Sequence, residues 1–181
     1  MNAAAQTAFA VKVPQAEACV GQLRARHDPS ARLGVPAHVT VLHPFMAPDR
    51  VGPEIHARLN EVFSRWPVFD FRLARIARFP GVLYLAPQDD APFLALTAAL
   101  VEAFPAYPPY AGRHATVVPH LTVAQADDVQ LALAERELLS LFPPAGIACR
   151  CESVAMMENA SGLWRDMGSF PLAGARAAQS R

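Results

Sequence analysis

The chain has 181 residues, and 52% of them are hydrophobic, enough for one domain or two small lobes sharing a core. Lys plus Arg and Asp plus Glu each number 16, so the net charge is zero, which argues against the strongly basic footprint of a duplex nucleic-acid binder. Three cysteines do not make a disulfide framework, and no apolar run approaches membrane-spanning length.

The N-terminus lacks the basic n-region and unbroken apolar core of a secretory signal. A soluble, cytoplasmic protein is expected. Seventeen prolines fall mostly between periodic segments, the punctuation of many short elements. Residues 7–13 read as a strand that Pro14 ends. Residues 15–26 read as a helix with Ala18, Val20 and Leu23 inward, and 27–36 as a loop. Residues 37–42 (AHVTVL) form a β-branched strand stopped before Pro44. Asp49 is the expected N-cap of a helix to about Arg65 that carries Ile55, Leu59, Val62 and Phe63 inward. Residues 68–79 alternate as a strand with a bulge near Ala74. After the Gly81 turn, residues 82–86 return as a hairpin partner.

Pro92 opens a helix over 93–104. A loop rich in Pro, Tyr and Gly spans 105–118. Residues 120–124 (HLTVA) are a strand, and 127–141 a helix with acidic residues at its start. Residues 147–157 and 164–172 read as a closing strand pair. The expected domain is a single bilobal unit over 1–172, followed by a flexible tail over 173–181. Cys149 and Cys151 share one strand face and read as small apolar fillers.

The order β-α-β-α-β-β-α-β-α-β-β contains two similar halves, each with a motif-bearing strand, then a helix, then a hairpin. The motifs are Pro36-Ala37-His38-Val39-Thr40-Val41 and Pro119-His120-Leu121-Thr122-Val123. Side chains alternate along a strand, so His38 and Thr40 share one face, as do His120 and Thr122. The apolar residues between them account for burial; nothing in burial requires His and Thr opposite, twice. An imidazole titrates near neutrality, so one can accept a proton while another donates one. The two Thr hydroxyls can hydrogen-bond non-bridging phosphate oxygens. This points to displacement at phosphorus by His38 and His120, without a metal or other cofactor.

AHVTVLHPF and VPHLTVA, with YPPYAGR before the second, resemble the two-histidine phosphoesterase superfamily in its bacterial 2′-5′ RNA ligase-like branch. The resemblance runs from about Ala8 to Leu172. It implies an α+β, bilobal, pseudo-two-fold fold of duplicated β-α-β units, with two antiparallel sheets facing a central cleft and helices outside. It implies hydrolysis of 2′,3′-cyclic phosphates or related cyclic phosphodiesters, with RNA-end binding or 2′-5′ joining as the alternative. The partners so implied are a cyclic nucleotide or an RNA end, and nothing demands more than a monomer. The family's catalytic positions match His38, Thr40, His120 and Thr122; the motif leaves open which histidine is acid.

Arg113 and Tyr110, in the 105–118 loop, are weaker candidates for the phosphate or a base. Tyr107 is read as packed down. On strand parity His43 faces away from His38, and a His38, His43 and His114 metal set lacks a carboxylate at sensible spacing. Trp164 and Phe170 are read as core. Arg72 and Arg75 are read as a solvated face.

Overall fold

The computed structural model describes residues 5–175. Eight strands form two four-stranded sheets, all pairings antiparallel. The first sheet has the order β2 (His38–Leu42), β1 (Thr7–Lys12), β7 (Ser153–Glu158), β8 (Arg165–Pro171). The second has β5 (Leu121–Gln125), β4 (Val82–Pro87), β3 (Phe69–Phe79), β6 (Ile147–Cys151). Each motif strand is therefore the edge of its own sheet, and β2 and β5 lie next to each other.

Helices α3 (Pro53–Ser64) and α4 (Ala91–Ala103) pack on the first sheet; α1 (Glu17–His27) and α5 (Asp128–Leu141) pack on the second. A one-turn helix, α2 (Pro29–Arg32), interrupts the loop before β2. This is the bilobal α+β arrangement the sequence predicts, with one continuous core running through both lobes. Phe9 shows why: its ring packs on Phe45, Phe63 and Phe170, residues from widely separated parts of the chain. The burial alternation holds at the motifs, where Val39, Val41, Leu121 and Val123 are buried while His38, Thr40, His120 and Thr122 keep partial exposure, although β5 begins at Leu121 and His120, expected inside the strand, stands one residue before it.

Several expected details differ. The segment 147–157 is two strands, not one: β6 joins the second sheet, the chain crosses at Glu152, and β7 joins the first. Periodicity cannot see a crossing between sheets, because both strands keep apolar residues inward. The helix expected to start at Asp49 begins at Pro53 with Gly52 as its N-cap, and Asp49 sits in a preceding 3-10 turn. Here the proline, pre-set for a first helical turn, decides the start. In α1 the buried positions are Val20, Leu23 and Arg24, following Ala16, whereas Ala18 is exposed. The bulge near Ala74 is present as a register shift between Leu73 and Arg75.

Cys149 and Cys151 are buried on one face of β6, and burial pushes their thiols up to about 11 and about 12. At the C-terminus the Ala173 N–H donates to Trp66 O at 2.7 Å, and Ala173 O accepts from Val68 N. The rest of the expected tail from 176 on lies outside the described residues. Among the described residues no helix is long and apolar enough to cross a membrane.

Candidate functional site

The two motif histidines are held in the same way. Each ring donates from Nδ1 to the backbone carbonyl two residues earlier: His38 to Pro36 O at 2.8 Å, His120 to Val118 O at 2.7 Å. A carbonyl can only accept, so Nδ1 carries the hydrogen and Nε2 is the free nitrogen in the neutral ring. The duplication thus extends from the motif letters to the tautomer.

A cavity of about 300 Å3 lies beside them, lined by His38, Thr40 and Thr122 among others. The Thr of each motif and the first histidine therefore converge on one space. His120 is not part of that lining; its ring stands edge-on to Phe79 and Tyr84, each with centroids 5.2 Å away. Larger grooves of about 510 and 660 Å3 exist elsewhere, but neither is lined by any His or Thr. Chemistry, not size, singles out the smaller cavity.

Burial is the main force on both imidazoles, since it disfavours the cation. It lowers His38 from 6.5 to about 4, although part of the ring stays open to the cleft. The Pro36 hydrogen bond and Asp28 oppose this fall, while the charges of Arg24 and His120 add to it. His120 is also lowered by burial, against its Val118 hydrogen bond. A positive charge on His120 therefore works against one on His38, as the smallest of these influences.

The remaining candidates divide. Tyr110 lines the cavity, and burial raises its phenol, so it stays a neutral donor. Its backbone is left-handed (φ 52°), and its N–H donates to His43 O at 2.6 Å. Tyr107 instead packs on Phe45, with centroids 4.8 Å apart, as expected. Arg113 is exposed and does not line the cavity. Arg72 and Arg75 donate to the carbonyls of Ala145 and Pro87, a structural use that differs from a purely solvated face.

Two residues read as lying away from the site are in it. His43 lines the cavity, because β2 ends at Leu42 and strand parity stops there; the following bond to Pro44 is cis. Trp164 also lines it, edge-on to His43 with centroids 5.7 Å apart, whereas Phe170 is core. Trp164 is placed by its backbone: its N–H donates to Leu33 O at 2.7 Å. Gly34 permits this approach, since it sits at φ 92° and a Cβ there would meet Trp164 O at 2.9 Å. The aromatic end of the cavity was unreadable because Trp164 lies outside the motif strands, just before β8, and meets the Leu33–Gly34 turn from a distant part of the chain. Among the described residues, no three His, Cys, Asp or Glu side chains are grouped to hold a metal ion.

Two antiparallel sheets presenting paired His and Thr residues at adjoining edges define a protein of the two-histidine phosphoesterase, 2′-5′ RNA ligase-like class. The chain belongs to the 2′-5′ RNA ligase superfamily, whose sequence profile matches residues 11–163. Among solved structures it is similar to E. coli LigT complexed with 3′-AMP, with TM-score 0.58 and 18% identity over 94% of this chain and 99% of that one. It is similar to TT0787 of Thermus thermophilus, with TM-score 0.62 and 19% identity over 94% of this chain and 100% of that one. A structure described as a phosphoesterase matches at TM-score 0.56 and 17% identity, over 93% and 98%. At these identities the likeness is one of fold. No curated protein matches in sequence.

Proposed function

We propose that the protein is a metal-independent phosphoesterase that opens 2′,3′-cyclic phosphates or related cyclic phosphodiesters by acid/base catalysis at His38 and His120. The observation that carries this reading is the matched Nδ1 anchoring of the two histidines, which leaves each Nε2 available for proton transfer, with His38 lining the same cavity as Thr40 and Thr122.

In the reaction, the neutral imidazole accepts a proton from water at Nε2 as the oxygen attacks phosphorus. The P–O bond to the ribose oxygen breaks in line, and the second, protonated imidazole donates its Nε2 proton to that leaving oxygen. Water is consumed, and one ring ends protonated and the other neutral; proton exchange with solvent resets the pair. Thr40 and Thr122 hydroxyls donate to non-bridging oxygens as their charge grows. Imidazolium and hydroxyl donors together supply the electrostatics that a metal supplies elsewhere. The low pKa values of both rings belong to the free cleft; a phosphate anion between them favours the imidazolium and restores the missing proton.

A nucleotide-like substrate is supported by the aromatic end of the cavity, where Trp164, His43 and Tyr110 offer faces and edges for a base. A LigT structure holds 3′-AMP and another ATP, consistent with such a ligand. The alternative, an RNA-end binding or 2′-5′ joining protein, uses the same cleft.

The test is turnover of a panel of 2′,3′-cyclic nucleotides and cyclic-phosphate-ended RNA, in EDTA. We expect turnover in EDTA, with His38→Ala and His120→Ala each losing about 10²–10⁴-fold. Full activity in either variant, or complete loss with EDTA, overturns the mechanism. Binding of cyclic-ended RNA without turnover favours the alternative.

A further inference from the structure

We propose that Glu17 and Arg24 of α1 are positioning residues for His38, clamping the backbone on both sides of the Pro36 carbonyl that holds its ring. The inference rests on His38 being a proton-transfer group.

Glu17 Oε1 accepts the Ala37 N–H at 2.7 Å. Arg24 Nη2 donates to Val35 O at 3.1 Å. These two bonds flank Pro36, whose carbonyl accepts from His38 Nδ1. The two side chains are seven residues apart, two turns of one helix, and so share a face. Pro36 has no N–H of its own to anchor it, so its carbonyl direction depends on its neighbours.

Both anchors are themselves supported. Arg24 is 2% exposed and is held by Asp28, which is fully buried, through Nε at 3.0 Å and Nη2 at 2.8 Å. Asp28 Oδ1 in turn accepts from the N–H and hydroxyl of Ser30. Glu17 lies over Gly21, where a Cβ would meet its Oε2 at 3.0 Å. That gives a reason for a glycine inside a helix, where it is otherwise unfavourable.

The second motif is built differently. Among the described residues, the Val118 carbonyl is reached by the His120 ring itself, with no side-chain clamp on either side. Yet α1 also packs against β5, the strand that follows His120. One helix therefore grips the lead-in to the first motif and lies against the second.

The two halves of the molecule are alike in motif and unlike in support. His38 is fixed from outside, whereas His120 relies on its own bond and on the Phe79 and Tyr84 rings. The charged or titratable groups around His38 are Glu17, Arg24 and Asp28, His120, His43 and Tyr110, and Lys12 opposite it in register, itself paired to Asp166.

The experiment uses the full chain with Glu17→Ala, Glu17→Gln and Arg24→Lys. Glu17 is exposed, so its replacement spares the core. Steady-state kinetics on a cyclic nucleotide are read together with ¹⁵N NMR of the imidazole nitrogens. Glu17→Ala should lower kcat about tenfold with KM unchanged, the low end of the loss that follows removal of an orienting partner behind a metal-bound histidine. The His38 nitrogens should move from the pure Nδ1–H tautomer toward an average, and those of His120 should stay. Glu17→Gln, whose amide oxygen can still accept from Ala37, should restore both. Arg24→Lys, which cannot keep the forked contact to Asp28 while reaching Val35, should shift His38 in the same direction as Glu17→Ala.

Wild-type kcat with an unmoved His38 signal in Glu17→Ala overturns the clamp, as does an equal change at both histidines. An unmoved His38 in Arg24→Lys overturns the Arg24 half. If the wild-type protein turns over no cyclic substrate, the functional reading fails on its own, and the tautomer measurement still decides the clamp.

Discussion

At the scale of the residue, the two histidines have similar hydrogen bonds and unequal electrostatics. Burial lowers both below 6.5, and His38 falls to about 4 with Arg24 among the contributing charges. The mechanism needs one ring protonated and one neutral. In the free enzyme that form is most abundant between the two macroscopic pKa values, which belong to the pair. As pH rises past the upper one, neither ring carries the proton and the acid is lost. As pH falls toward about 4, both carry it and the base is lost. The pH profile of kcat/KM, which reports the free enzyme, should therefore be a bell centred on the acid side of 6.5. The profile of kcat should lie at higher pH, since the bound phosphate stabilises the cation. Initial rates across pH, at low and saturating substrate, measure both; a kcat/KM optimum above neutrality would contradict the lowered imidazoles. The four motif residues were legible because alternation on a strand places His and Thr together without any knowledge of the fold. Arg24 and Ala18 were not, because a pattern of apolar residues assigns alanine inward and arginine outward. A buried ion pair reverses that assignment, and its partner Asp28 lies past the helix end.

At the scale of the element, caps and turns followed local chemistry where one residue decides them. Pro92 lies in the first turn of α4, as the sequence predicts, and Asp127, expected as the first residue of α5, is instead its N-cap, accepting from Gln130 N at 2.8 Å. Where two signals competed, at Asp49 and Pro53, the proline prevailed. Edge strands raise a different issue, because β2 must satisfy its outer carbonyls without a hydrogen-bonded partner strand on that side. Thr97 of α4 meets part of that need: its hydroxyl donates to Val41 O at 2.8 Å and is buried. Thr97→Val keeps the shape and leaves that carbonyl unpaired, so it should destabilise the protein by about 1–3 kcal/mol. Urea unfolding measures this as a lower midpoint at unchanged slope. A neutral result would mean that water reaches Val41 O.

At the scale of the whole molecule, the repeat is real and the lobes are not its halves. The hairpin of β3 and β4 follows the first motif's helix, yet it completes the sheet that ends in β5, the second motif strand. The strands β7 and β8 follow the second motif's helix, yet they complete the sheet that ends in β2, the first. The helices cross as well: α1 lies on the second sheet and α4 on the first. Local pattern reveals duplication but not exchange, because each strand looks the same whichever sheet receives it. The exchange brings the two edges together, and it makes each motif depend on residues from the far half of the chain. A chain cut within the 105–108 loop should therefore give two fragments that cannot fold alone. The N-terminal piece would leave β1 without β7, and the C-terminal piece would leave β5 without β4. Mixed or co-expressed, they should regain the native near-ultraviolet circular dichroism and a cooperative unfolding transition, with the reassembled pair carrying the activity of the intact chain. Cooperative unfolding of either fragment by itself would show that a half can close its own core. The single core cluster, whose Phe9 ring touches Phe170 across nearly the full chain, is the physical reason to expect otherwise.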